Sequence, residues 1–281
     1  MLLPFLAIVA SQAVASTKPD PAPAPPIPGY TLVFSDDFDG DRLDPGRWKP
    51  WALGPRRDAV NTADAAKVDG QGYLVITTSV APAPATSSDN APPAAPVIHT
   101  GGVWTKDIFE PTFGYFEARI KFHDRLGHWG AFWINCGGMG SIPGNPHETG
   151  VEMDVIEFHH KMKGKDGLYR AQQTLHWDGY GKDHKSKGHT PVVQSLADDF
   201  HTYGLLWTND EYVFFIDGVE TWRVREKDGG AISHRPEYLI LSLEVGDWAG
   251  KINLTDLPDS MLVDWVRVWQ EPPPESGSPQ R

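Results

Sequence analysis

A chain of 281 residues with a net charge of −12 is long enough for one large domain and too acidic for a general nucleic-acid binder. Its one cysteine, Cys136, excludes an internal disulfide, so stability has to come from a packed core. The 28 glycines and 25 prolines favour turns over helices.

The chain begins MLLPFLAIVASQAVAS, a short apolar run followed by Ala-Val-Ala and a small residue. That pattern predicts a secretory signal cut after Ala15. The run is shorter than the ~20 apolar residues of a membrane span. No other stretch is apolar enough to span, so the expected location is secreted or periplasmic. Residues 16–29 are rich in Pro and Ala and read as an extended linker. Residues 30–271 form one expected domain, and 272–281 a polar tail.

Strand-like segments dominate that domain. TLVFSDDF (31–38) and GYLVITTS (72–79) come first. Residues 80–97, VAPAPATSSDNAPPAAPV, are low in complexity and read as a surface insertion. GYFEARIKF (114–122) alternates with Phe116, Ala118, Ile120 and Phe122 on one face. WGAFWIN (129–135) places Trp129 and Trp133 on one side, either to stack on sugar rings or to pack in the core. Cys136 follows and reads as a buried small hydrophobe.

The next strand, VEMDVIEFH (151–159), alternates but slips once at Val155-Ile156. In regular pleating Glu157 would point to the apolar side, and an unpaired buried charge is costly. A β-bulge shifts the phase by one residue and resolves the conflict. Glu152, Asp154, Glu157 and His159 then share one face, and Val151, Met153, Val155, Ile156 and Phe158 the other. Glu152 and Glu157 are separated by ~13 Å of backbone at ~3.3 Å per step. Side chains leaning inward would bring their carboxyls to ~5 Å, the spacing of a retaining glycosidase. Three acids on one face cannot all ionise easily, which suits one proton donor beside one carboxylate. The alternatives are a solvated acidic face or a calcium site.

QQTLHWD (172–178) carries His176 and Trp177, each either at the site or in the core. TYGLLWT (202–208) and YVFFIDGVETWRV (212–224) follow, the latter with Asp217-Gly218 as a two-residue hairpin turn. YLILSLEVG (238–246) leads to Trp248 in a loop, read as a cleft wall or an ordinary turn aromatic. MLVDWVRVW (261–269) completes the set. Many short strands between Gly/Pro-rich turns predict an all-β sandwich or jelly roll of two antiparallel sheets. His159-His160 near the acids shows no zinc-site spacing, so no metal is expected there. Between 161 and 189, seven lysines and arginines face three aspartates, a local positive patch that would border the site.

EMDVIE resembles the Glu-x-Asp-x-x-Glu signature of glycoside hydrolase family 16. LVFSDDFDGDRLDPGRW, GYFEARIKF, GHWGAFW, EYVFFIDG and VDWVRVW resemble further family segments, in the family's order, across most of residues 30–270. The resemblance implies a concanavalin-like β-jelly roll with a sugar cleft on its concave sheet. It implies Glu152 as nucleophile, Glu157 as acid/base and Asp154 as the assisting acid, and it sets His176 beside the cleaved bond. Trp129, Trp133, Trp177 and Trp248 become candidate substrate contacts. The implied activity is retaining endo-hydrolysis of a β-linked polysaccharide, with laminarin-type β-1,3-glucan as the first substrate. Agar- or carrageenan-like galactan, sulfated or not, is the second. A transglycosylase would use the same acids, whereas a non-catalytic carbohydrate-binding protein would not need both glutamates. No cofactor is required. The resemblance allows a structural calcium at Asp264 with Asp37 or backbone oxygens near the start, the alternative being plain solvated acids, and the expected state is a monomer. Where laminarinases commonly carry Trp-Pro-Ala, this chain has Trp129-Gly130-Ala131.

Overall fold

The computed structural model of the protein describes residues 26–81 and 95–272. The expected signal segment, most of the linker and tail, and most of the 80–97 insertion lie outside the described residues. Among the described residues no helix is long and apolar enough to cross a membrane.

The strands form a two-layer β-jelly roll. In the inner layer the order is Lys49–Pro50, Ile98–Trp104, Tyr238–Val245, His128–Asn135, Glu152–His159, Gln172–Trp177 and Lys185–His189, all antiparallel. The outer layer runs Ala66–Val68, Leu74–Val80, Asp259–Gln270, Gly114–Lys121, His201–Trp207, Glu211–Ile216 and Val219–Arg225. Strand Thr31–Asp36 also pairs with Asp259–Gln270. Two residue pairs between Leu74–Val80 and Ile98–Trp104 join the layers at one edge.

Strand alternation builds the core. Phe116, Ala118 and Ile120 are fully buried, facing the inner layer's Phe132, Ile134, Met153, Leu175, Leu239 and Leu241 in one apolar cluster. Burial of each large side chain contributes ~1.5–3 kcal/mol. The core takes one face of the inner sheet, and the other is left for a cleft. The Asp217-Gly218 turn has positive φ at both residues, 50° and 74°, as a type I′ hairpin requires.

Two inner-sheet strands carried no pattern in the sequence. Lys185–His189 (KSKGH) is an exposed edge strand with no apolar residue to reveal it. Ile98–Trp104 (IHTGGVW) is interrupted by Gly101-Gly102, which weakens any strand signal. Those glycines answer to packing. A Cβ on Gly102 would lie 2.3 Å from the Leu241 carbonyl oxygen and 2.9 Å from Ser242 Cα. The Gly102→Ala variant is therefore expected to lose about 1–3 kcal/mol through overpacking. Thermal melts should show a Tm several degrees lower, and an unchanged Tm would contradict this close approach.

Candidate active site

The slip in VEMDVIEFH is a bulge at Val155. Against strand His128–Asn135, Asp154 lies opposite Trp133 and Ile156 opposite Phe132, so Val155 has no partner. Against Gln172–Trp177, Asp154 faces Thr174 and Glu157 faces Gln172. Below the sheet, Val151, Met153, Val155, Ile156 and Phe158 are all fully buried. Above it, Glu152, Asp154 and Glu157 line one cleft of about 780 Å³. His159 joins their face, opposite Trp129.

The three carboxyls do not hold their protons equally. Burial raises Asp154 well above the usual carboxylate range, and the charges of Glu152 and Glu244 add to the rise. Glu157 is likewise raised well above its ordinary value by burial, then by Asp154, Glu152 and Glu244, with Arg57 opposing. Burial raises Glu152 too, but the Tyr180 hydroxyl and the His176 imidazole pull against it, with Arg56 helping. Glu152 is thus raised less than Asp154 and Glu157, because donors to its charged form oppose the effect of burial.

Neighbouring strands and loops hold the acids. Glu152 Oε2 accepts a hydrogen bond from Asn135 Nδ2 at 2.5 Å and another from the Tyr180 hydroxyl. His176, opposite Glu152 in the sheet, brings Nε2 to 3.3 Å from Asp154 Oδ2. Its Nδ1 shares a 2.9 Å hydrogen bond with His184 Nε2. Burial lowers the His176 pKa, and the charge of Glu152 works against that shift.

Aromatic side chains flank the acids. Trp129 and Trp133 share a side, as their four-residue spacing predicts, and that side is the cleft. Trp129 meets Trp248 edge-on at 5.3 Å, and His159 meets Trp248 at 4.5 Å. Trp133 meets Trp51 edge-on at 5.7 Å and donates Nε1–H to Ser242 Oγ. Trp104 and Tyr238 complete the lining on the Trp133 side. Two guanidinium groups also enter, Arg56 over Trp51 and Arg57 over Trp129. Buried Glu244 binds both, with N–O distances of 2.8 and 2.9 Å.

Two expectations need correction. Trp177 follows His176 on the strand, so it takes the opposite face and packs against the main core instead of the cleft. Two lysines of the basic patch turn away from the cleft for the same geometric reason. Lys185 and Lys187 sit opposite Trp177 and Leu175, and Ser186 opposite His176, so both lysines face away from the cleft. Lys185 pairs with Asp178 at 2.8 Å, and Lys187 donates to the Asp228 carbonyl.

The remaining candidates fall elsewhere. Asp264 pairs with Arg119 and Asp37 with Arg267, so arginine charge already balances both acids. His160 lies 3.3 Å from Asp124. Cys136 is buried and donates to the Thr149 carbonyl. Among the described residues, only Glu152, Asp154 and His176 bring three potential metal-ligand atoms within 4.8 Å of one another. Hydrogen bonding already engages Glu152 and His176 in that set.

Asn135, Tyr180, His184, Glu244, Arg56, Arg57, Trp51, Trp104 and Tyr238 were not foreseen. Asn135 lies two residues beyond Trp133, and Tyr238, Ser242 and Glu244 share an alternating face, so strand period alone points to them. Tyr180, His184, Arg56 and Arg57 come from irregular turns or a short hairpin, where no periodicity applies.

The negative charge of Glu244 raises the Glu157 pKa. In Glu244→Gln, carboxyl NMR titration is expected to show Glu157 releasing its proton at lower pH than in the wild type. An unchanged titration would contradict the electrostatic coupling across the cleft.

Residues 31–271 match the family model described as "Beta-porphyranase A-D, GH16 domain". The chain is 28% identical over 283 residues to glucan endo-1,3-beta-glucosidase A1 of Niallia circulans, covering 91% of this chain and 39% of that protein. It is 27% identical to keratan-sulfate endo-1,4-beta-galactosidase of Sphingobacterium multivorum, covering 93% of this chain and 60% of that one. The chain therefore spans less than two thirds of the length of these curated relatives. Among solved structures it is similar to SCLam, a non-specific endo-beta-1,3(4)-glucanase, with a TM-score of 0.68 and 25% identity over 89% of this chain and 95% of that one. The match from residue 31 to residue 271, on a jelly roll whose inner sheet carries the bulged acid strand, places the chain in glycoside hydrolase family 16.

Proposed function

We propose that the protein is a retaining endo-glycosidase that hydrolyses β-linked polysaccharide by double displacement. The observation that carries this reading is the Val155 bulge, which sets Glu152 and Glu157 on one cleft wall with unequal hold on their protons. A sugar chain lies in the cleft with its scissile bond between them. Glu157 donates its proton to the glycosidic oxygen as Glu152 attacks the anomeric carbon, and the C–O bond to the leaving sugar breaks. Glu157, now ionised, takes a proton from water. That water displaces Glu152 from the covalent glycosyl ester and returns the anomeric carbon to its starting configuration. Asp154 keeps its proton between them and limits the charge on the strand face.

Aromatic residues on both sides of the acids support binding within a long chain, with Trp129 and Trp248 on one side and Trp51, Trp133 and Trp104 on the other. A polymer that cannot enter the cell requires an enzyme outside the cytoplasm, which agrees with the secretory signal expected over residues 1–15. The protein acts as a monomer in this reading, since one chain supplies every group used.

For the substrate, Arg56 and Arg57 favour a β-linked galactan bearing anionic groups over the neutral glucan expected from sequence. Among the described residues the cleft's arginines are these two, each lying over an aromatic ring of the lining. The porphyranase description of the matched family model supports the same reading. Laminarin-type β-1,3-glucan is the second reading, supported by the activity named for the Niallia relative.

Two measurements check these assignments. Glu152→Ala is expected to abolish turnover, with azide restoring part of it as the inverted glycosyl azide, and Glu157→Gln to lower kcat about 10²–10⁴-fold. Wild-type rates in either variant would remove that residue from its role. In a polysaccharide panel, sulfated galactan is expected to outrank laminarin, with kcat/KM falling as salt rises. Arg57→Gln should raise KM on the sulfated polymer more than on agarose. Preference for laminarin, insensitive to salt, would overturn the galactan reading.

A further inference from the structure

Both hydrogen bonds made by Glu152 fall on one oxygen. Asn135 Nδ2 and the Tyr180 hydroxyl donate to Oε2, and among the described residues Oε1 has no donor. Neither donor is free to wander. The Cys136 backbone N–H donates to Asn135 Oδ1 at 2.6 Å, which fixes the amide so that its NH₂ faces Glu152. Tyr180 stands on a turn held at several points. Asp178 and Gly179 have positive φ of 63° and 76°. Asp178 Oδ1 accepts from the Gly144 N–H at 2.8 Å, and its Oδ2 pairs with Lys185 Nζ at 2.8 Å. The 137–144 loop touches this turn so closely that a Cβ on Gly140 would lie 2.2 Å from the Gly179 nitrogen. The Tyr180 side chain is 67% exposed, so little packing holds its ring, while its hydroxyl ends on a carboxylate only 7% exposed.

We propose that Tyr180 is a positioning residue which, with Asn135, pins Glu152 Oε2 and presents Oε1 as the atom that bonds to the anomeric carbon. The inference rests on the reading of Glu152 as the nucleophile. When Oε1 forms the glycosyl ester, Oε2 becomes its carbonyl oxygen. When water displaces the ester, the electron pair of the broken C–O bond returns to the carboxylate, and the Tyr180 hydroxyl again stabilises its charge. Tyr180 thus keeps one rotamer of Glu152 and also favours its ionised form.

Several charged and titratable groups face Glu152. Asp154 and Glu157 lie on its own strand, His176 on the next, and Tyr238 and Glu244 across the sheet. Arg56 comes from the short hairpin and Glu237 from beneath. Tyr180→Phe leaves all of these in place and removes only the hydroxyl. A donor to the charged form is then lost, so the Glu152 pKa rises. The acid limb of kcat/KM should move to higher pH.

The test compares the wild type, Tyr180→Phe and Tyr180→Ala on sulfated galactan, soluble agarose and laminarin, using whichever is turned over fastest. Azide rescue of Glu152→Ala serves as the control. Both Tyr180 variants are expected to shift the acid limb upward by the same amount and to lower kcat about 10–100-fold, the range of a hydrogen bond to a charged group. KM for Tyr180→Phe should stay close to wild type. An unmoved acid limb with wild-type kcat in Tyr180→Phe would overturn the inference, as would a rise in KM alone, which marks a mere cleft wall. If Glu152→Ala remains azide-rescuable in that case, the nucleophile stands and only the role of Tyr180 is lost. If azide fails to rescue it, the underlying reading falls first.

Discussion

A regular strand cannot carry Glu152, Asp154 and Glu157 on one face while burying Val151, Met153, Ile156 and Phe158 on the other. The side-chain period of two forbids it, because Glu157 lies an odd number of steps along the strand from Glu152. One unpaired residue, Val155, removes the conflict. The underside remains an unbroken apolar surface against the outer sheet, and the upper side gains a third acid. The candidate site therefore depends on a local irregularity that the packing of the core enforces.

Once the acids share a wall, the surroundings decide which of them is charged. Burial opposes ionisation of all three, and each ionised neighbour opposes it further. Glu152 alone receives a hydroxyl and an amide donor on one oxygen and faces His176. Glu244 acts in the other direction, since its charge raises the three acids while it holds Arg56 and Arg57 in the cleft. The same buried carboxylate thus influences both proton affinity in the acid set and the cations available to a substrate.

Much of this was legible in the sequence, because it is carried by periodicity. The slip at Val155-Ile156 located the bulge, alternation put Trp129 and Trp133 on one side, and the family resemblance put His176 beside the acids; all three line the cleft. The same rule, applied one residue further, removes Trp177 from the site and turns Lys185 and Lys187 away from it. A count of charges along the chain ignores face, so it includes Lys185 and Lys187, which turn away from the cleft. Tyr180 and Arg57 left no trace in the sequence, because they stand on turns whose course is set by contacts far away in the chain. The approach of Gly140 to Gly179 and the ion pair from Arg57 to Glu244 are two such contacts. Strand Ile98–Trp104 was hidden by the glycines that let it approach its neighbour.

The central proposal is that the bulge sets Glu152 to attack the sugar directly while Glu157 serves as its acid/base partner. Proton NMR of the anomeric signals during the first minutes of hydrolysis reads this directly. The account predicts that the first product from a β-linked polymer is the β-anomer, with the α-anomer appearing later through mutarotation. An α-anomer formed first would mean inversion and would contradict it.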